Sequence, residues 1–170
     1  TSGMAVAMRN TQNSTSMLQT AEGALDEVSN MLVRMKDLAT QAADQSSTQA
    51  DKDAMQLEYD ALGTELGNVL KNTTFGGAKL LVGGTIASSM KFQIGASSTE
   101  TMTVSLATDV TAVATDVSAA TSNYGTAGTG TEVASGTAAT ASIAKLDTAL
   151  ASVGKVRSGL GAAANRLEHV

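Results

Sequence analysis

Residues 18–42 read LQTAEGALDEVSNMLVRMKDLATQA, and the spacing of their apolar side chains decides the fold. Leu18, Ala21, Leu25, Val28, Leu32, Met35, Ala39 and Ala42 alternate steps of three and four, a heptad seam held for more than three heptads. Ala24, Met31 and Leu38 lie beside the seam and widen the stripe. The spacing predicts a helix from about Gly3 to Ala43, about 60 Å long at 1.5 Å per residue, which suits a rod or bundle rather than a globular fold.

Outward from this stretch, the polar residues 45–49 break the pattern, and Thr48 is placed to cap a second helix with Asp51 and Asp53 in its first turn. Met55, Tyr59, Leu62, Leu66 and Val69 carry that helix to about Asn72. The short connection predicts antiparallel packing. From Thr73 to Leu106 the period changes. Ala78–Val82, Met90–Ile94 and Thr101–Leu106 read as strands, with Gly76-Gly77 and Gly83-Gly84 as turns. Residues 109–137 are low in complexity. A short helix over Ala112–Ala120 and a flexible surface loop over Thr126–Gly136 are the readings there. Ile143, Leu146, Leu150, Val153, Leu160, Ala164 and Leu167 restore helical spacing, broken once at Arg157. The first and last helices are expected side by side, since each seam needs a partner. Both ends read as cut from longer helices. The organisation expected is an N-terminal part of a helical core with its hairpin patch (1–106), a short variable surface insertion (107–137), and a returning C-terminal helix (138–170).

Composition narrows the function. The chain has 170 residues, 42% hydrophobic but only 2% aromatic, with no Pro and no Cys. Absent Pro suits long helices, and absent Cys removes disulfides and thiolate metal sites. Eleven basic against sixteen acidic residues give a net charge of −5, which argues against nucleic acid and anionic membrane as partners. No apolar run approaches a membrane span, and no cleavable leader pattern opens the chain. The lone His169 lacks the companions of a zinc site. Met31 and Met35 read as adaptable core filling rather than soft-metal ligands. Asn13-Ser14-Thr15 and Asn72-Thr73-Thr74 fit a glycosylation pattern that chance explains. One histidine assembles no nucleophilic triad, adjacent carboxylates such as Asp26 and Glu27 diverge on a helix, and the Gly pairs follow no phosphate-loop pattern. The reading is of a non-enzyme without cofactors.

Several strings also carry a family resemblance. Residues 20–28 (TAEGALDEV), 32–42 (LVRMKDLATQA), 74–81 (TFGGAKLL) and 92–96 (FQIGA), followed by Leu160-Gly161 and Asn165-Arg166-Leu167, occur in the order found in bacterial flagellins. The chain resembles a flagellin core over about residues 1–106 and 138–170. It departs at Thr40, where Val is common, and at Gly76, where Asn is common. The resemblance implies a mainly α, elongated rod-like bundle of long helices with a small β-hairpin region. It implies a structural subunit of the secreted, extracellular flagellar filament, here without the terminal polymerisation helices and so expected to stay monomeric. The partners implied are other flagellin subunits, the flagellar export chaperone and capping proteins, and the flagellin-sensing Toll-like receptor of hosts. A hook–filament junction protein and a flagellin-like adhesin or glycan-binding protein are the alternatives. An adhesin would want a basic or aromatic groove, whereas the insertion offers only Tyr124 and no basic residue between Lys91 and Lys145.

By the same resemblance, Arg34, Leu38 and Glu58 correspond to the receptor-sensed or subunit-contacting surface, with Lys36 and Gln41 at its edge. Arg34 and Leu38 are four apart on one helix, and antiparallel packing brings Glu58 beside them. The plainer reading stands next to it: Arg34 and Asp37 as a solvated pair, Leu38 in the core.

Overall fold

The computed structural model describes residues 2–169. Helix α1 spans Ser2–Ala43 and buries the seam read from the sequence, Leu18, Ala21, Leu25, Val28, Leu32, Met35, Ala39 and Ala42 among it. Helix α2 spans Gln49–Asn72. It opens on a capping box: the Thr48 hydroxyl accepts from the Asp51 N–H and the Asp51 carboxylate accepts from the Thr48 N–H, both at 3.1 Å. Two orphan donors of the first turn are thereby satisfied. Two short antiparallel pairs follow, β1 (Thr74–Phe75) with β2 (Ala78–Lys79), then β3 (Ser89–Gln93) with β4 (Thr101–Ser105) in the register Met90 to Val104 and Phe92 to Met102. Helix α3 spans Ala107–Ala120 and helix α4 spans Gly136–Glu168.

α4 returns antiparallel along α1. Leu146, Val153, Val156, Leu160 and Leu167 complete one continuous core with the α1 seam. Ion pairs border it, Arg157 to Asp26 at 2.8 Å and Lys36 to Asp147 at 2.7 Å. The architecture is a mainly α rod, with the β pairs confined to a small patch.

Two sequence readings need correction. The apolar run Ala78–Val82 forms a strand only at Ala78–Lys79. Beyond it the Leu80 N–H donates to the Thr73 carbonyl at 2.9 Å and the Val82 N–H to the Leu70 carbonyl at 3.1 Å. The backbone there closes the carbonyl end of α2 instead of extending a ladder. The segment read as a loose insertion is also packed. α3 begins at Ala107, five residues earlier than expected, and buries Val110, Val113, Val117 and Ala120. The connection that follows, residues 121–135, lies along α2 as a strap with Thr121, Asn123 and Val133 buried.

Candidate functional site

The candidate surface lies where α1 and α2 pack antiparallel near their short connection. Arg34 and Glu58 meet there in a fork. The Arg34 Nε donates to Glu58 Oε2 at 2.5 Å and Nη2 donates to Oε1 at 3.0 Å. This two-point geometry fixes the guanidinium plane as a single contact would not. The hydrogen bond to Glu58 raises the Arg34 pKa, and the hydrogen bond from Arg34 lowers that of Glu58. A lowered carboxylate contributes stability above its unfolded value, near the usual pH of about 4. That contribution is lost as pH falls through the lower folded value.

The remaining candidates separate. Gln41 is exposed two turns along α1 from Arg34. Lys36 reaches the other way, to Asp147 on α4. Leu38 is 2% exposed and belongs to the core, so it supports this face from beneath and presents nothing to a partner. The Arg34–Asp37 pair of the plainer reading gives way to Arg34–Glu58, with Asp37 a weaker electrostatic neighbour. Two residues escaped the sequence reading. Val33 and Leu57, next in sequence to Arg34 and Glu58, are exposed, Leu57 to 68%. Their signal was present: both are large apolar residues off the heptad positions that feed the core.

A second polar cluster holds the strap. Buried Asp60 accepts from the Gly130 N–H at 3.1 Å through both carboxylate oxygens, and buried Gln56 accepts from the Val133 N–H at 2.7 Å. The Gln56 amide donates to Asp60 at 2.8 Å and to Glu132 at 3.0 Å. Lys71 donates to the Tyr124 carbonyl at 2.9 Å and sits 4.2 Å over its ring. These groups bond backbone and one another. Among the described residues no cluster of three or more His, Cys, Asp or Glu is placed to hold a metal, and no helix is long and apolar enough to cross a membrane.

The model of the bacterial flagellin N-terminal helical region matches residues 1–86, half of the chain. The chain belongs to the bacterial flagellin family. Over 105 residues it is 47% identical to polar flagellin F of Vibrio parahaemolyticus, and over 104 residues 47% identical to flagellin C of Vibrio cholerae. Those matches cover 62% and 61% of this chain but only 27% of each relative, so the chain spans about a quarter of the flagellins it matches. The fold likeness reaches further. The crystal structure of Bacillus cereus flagellin superposes with a TM-score of 0.75 at 32% identity, over 95% of this chain and 86% of that one. Flagellins are a structural protein family of the flagellar filament.

Proposed function

We propose that this flagellin chain is the rod of a filament subunit, a part that works by packing and turns over no substrate. The observation that carries this reading is the α1–α4 seam. A continuous apolar core runs along two antiparallel helices and is bordered by the Asp26–Arg157 and Lys36–Asp147 pairs. Such a body resists bending, and rods of this kind stacked in a secreted, extracellular tube transmit torque. Other flagellin subunits are the partners this needs, with an export chaperone and capping proteins serving the route outward. The adhesin alternative is weakened by Tyr124, the one aromatic ring of residues 107–137, which lies under Lys71. Immunogold electron microscopy with antibody against the chain tests the reading. Label along the whole filament is expected. Label confined to the hook–filament junction or to the cell body overturns it.

The exposed Arg34–Glu58 fork supports a second role, recognition by a flagellin-sensing Toll-like receptor of a host. A preorganised guanidinium flanked by the exposed apolar Val33 and Leu57 is a good interface anchor. Gln41 lies on its edge. In receptor-reporter cells, Arg34→Glu is expected to raise the half-maximal dose about tenfold or more. Unchanged signalling from a variant with unchanged circular dichroism removes the assignment.

A further inference from the structure

The β3–β4 pair is a sheet of two strands, so each strand has an edge that the other does not cover. α1 and the 3₁₀ turn Thr85–Ala87 pack on β3. β4 is the outer strand, and β3 is the strand it pairs with. Its backbone direction follows from one bond. The Ile94 N–H donates to the Glu100 carbonyl at 2.9 Å, one step beyond the Gln93–Thr101 pair. Alternation along an antiparallel ladder then makes Phe92–Met102 and Met90–Val104 the pairs that exchange hydrogen bonds. The backbone N–H and C=O groups of Thr101, Thr103 and Ser105 point the other way, to the outer edge. Met102 and Val104 turn their side chains into the core, while Thr103 and Ser105 are exposed on the opposite face.

Proteins ordinarily guard such an edge with a proline, a charged side chain, a bulge or a covering element, because an open row of donors and acceptors is a template for another strand. β4 reads TMTVS, with no proline and no charge. Its register against β3 runs one to one, without a bulge. α3, which follows it, packs on α4 and on the Thr85–Ala87 turn. The nearest charges along the hairpin are Lys91, on β3, and Glu100, which accepts from the Ser97 N–H in the turn at 3.0 Å. β4 is an internal strand, with packed chain before and after it, so this edge is a property of the hairpin itself.

We propose that β4 pairs with β4 of a second copy of the chain, antiparallel about a two-fold axis at Thr103. The edge is self-complementary in this register. Thr103 lies opposite Thr103, and Thr101 opposite Ser105, so each outward N–H meets an outward C=O of the other copy. The outer face then carries Thr and Ser hydroxyls side by side, which are favourable cross-strand neighbours, and Met102 lies opposite Val104 on the inner face. A slip of one residue would set hydroxyls against Met102 and Val104 instead. The charges are compatible too. The two Lys91 side chains stand on the outermost strands, three strand spacings apart at about 14 Å, beyond the screening length of about 8 Å at physiological salt. The product is a four-stranded sheet with β3 at each border. It is closed by its symmetry, and is thus distinct from the head-to-tail contacts that stack rods into a tube. A strand about 17 Å long gives a contact in the size class of weak encounters, with a dissociation constant on the order of 1 mM. Dilute chain is a monomer, and pairing sets in where many copies are held close.

Amide NMR spectra of the full chain, from about 50 μM to about 2 mM, test this. The amides of Thr101, Thr103 and Ser105 are expected to shift with concentration, while those of Met102 and Val104, already bonded to β3, move least. Thr103→Pro removes a donor on the outer edge alone and leaves the ladder to β3 intact, so it is expected to weaken the association about tenfold or more. Thr103→Lys sets like charges opposite each other on the axis and is expected to do the same. It decides the matter should Thr103→Pro disturb the fold by circular dichroism. Thr103→Val is expected to keep the pairing. The chain has no Cys, and opposed residues of a hydrogen-bonded pair stand about 5.5 Å apart at Cα, within disulfide reach. Thr103→Cys is therefore expected to oxidise to a linked dimer, while Ala61→Cys on the exposed side of α2 does not. Spectra that do not change up to about 2 mM overturn the proposal. So do shifts that fall elsewhere than on alternate residues of β4, and association that a folded Thr103→Lys chain retains in full.

Discussion

Along α1 and α4, Leu18, Leu25, Leu32, Leu146, Val153 and Leu160 meet side chain to side chain, and charged groups stay at the rim. Along α2 the strap is held the opposite way, by side chains that bond its backbone. In order down α2, Lys71 takes the Tyr124 carbonyl, Thr64 that of Thr126, Asp60 the Gly130 N–H, Gln56 the Val133 N–H and Gln49 the Ala134 carbonyl. From Lys71 to Gln49 is about 33 Å of helix. The strap thus runs antiparallel to α2, with turns closed by the Thr126 N–H on the Asn123 carbonyl and the Ala134 N–H on the Thr131 carbonyl, and the long Lys71 and Gln49 side chains reach its ends. Where α2 makes no hydrogen bond it offers glycine: a Cβ on Gly67 would overlap the backbone of Gly125, and one on Gly63 the side chain of Thr121. The first interface draws on apolar area and is indifferent to backbone detail. The second draws on donor–acceptor geometry and tolerates no added atom.

The largest expected effect breaks the first interface. Leu32 is fully buried in the α1 seam. Leu32→Ala removes its transfer energy and leaves a cavity between two stiff helices that close poorly, so it should cost about 3–4 kcal/mol in urea unfolding. Loss below about 1 kcal/mol would mean that the seam is far looser than its burial indicates.

The second interface should fail locally. Gly67→Ala improves helix propensity by about 1 kcal/mol, yet its methyl displaces backbone that has no rotamer by which to yield. A net loss of about 1–3 kcal/mol is expected. Hydrogen exchange should show it at the Gly130 and Val133 amides, while amides in the middle of α1 keep their protection. Equal acceleration at both places would make strap and rod one cooperative unit and dissolve the distinction.

The same contrast explains what was readable beforehand. A heptad seam of Leu, Met and Val announces itself within one helix, so α1 and α4 and their side-by-side packing were legible, as was Thr48 at the start of α2. The strap was not, because its anchors lie on another element. Gln56 and Asp60 look like solvent-facing residues of α2, and Gly63 and Gly67 look like weak points in a helix until Gly125 and Thr121 are seen against them. The stripe of α3 was hard to see because Val and Ala recur throughout residues 107–137. At the candidate surface, the family resemblance singled out Arg34 and Glu58, and antiparallel packing of α1 and α2 let them lie side by side. The placing of Leu38 required burial: a position four along from Arg34 is rotated by about 40°, enough at the edge of a stripe to turn a side chain inward.

The two tyrosines of the strap interface sharpen the comparison with the smallest effects, because they differ in one atom's surroundings. The hydroxyl of fully buried Tyr59 donates to the Ala120 carbonyl, the last residue of α3, at 2.5 Å. The hydroxyl of Tyr124 is buried with no partner. Replacing each by Phe removes the same oxygen. Tyr59→Phe strands a helix-end carbonyl and should cost about 1–2 kcal/mol, whereas Tyr124→Phe relieves an unpaired group and should be neutral or stabilise by up to about 1 kcal/mol. Alkaline unfolding separates them further. Burial pushes both phenols up, and the Glu132 charge adds to the effect at Tyr59. A raised folded value means that the stability is intact below the ordinary phenol value of about 10 and is lost as pH rises above it, because the unfolded chain gives up its proton first. Each Phe variant should therefore lose less stability than the parent between pH of about 9 and about 11. Urea titrations at the two pH values measure this, with Tyr124→Phe no lower than the parent at the first and above it at the second. A Tyr124→Phe chain weaker than its parent at neutral pH would show that this hydroxyl has a partner, and the strap would then be as well satisfied at its Tyr124 end as it is at Gln56 and Asp60.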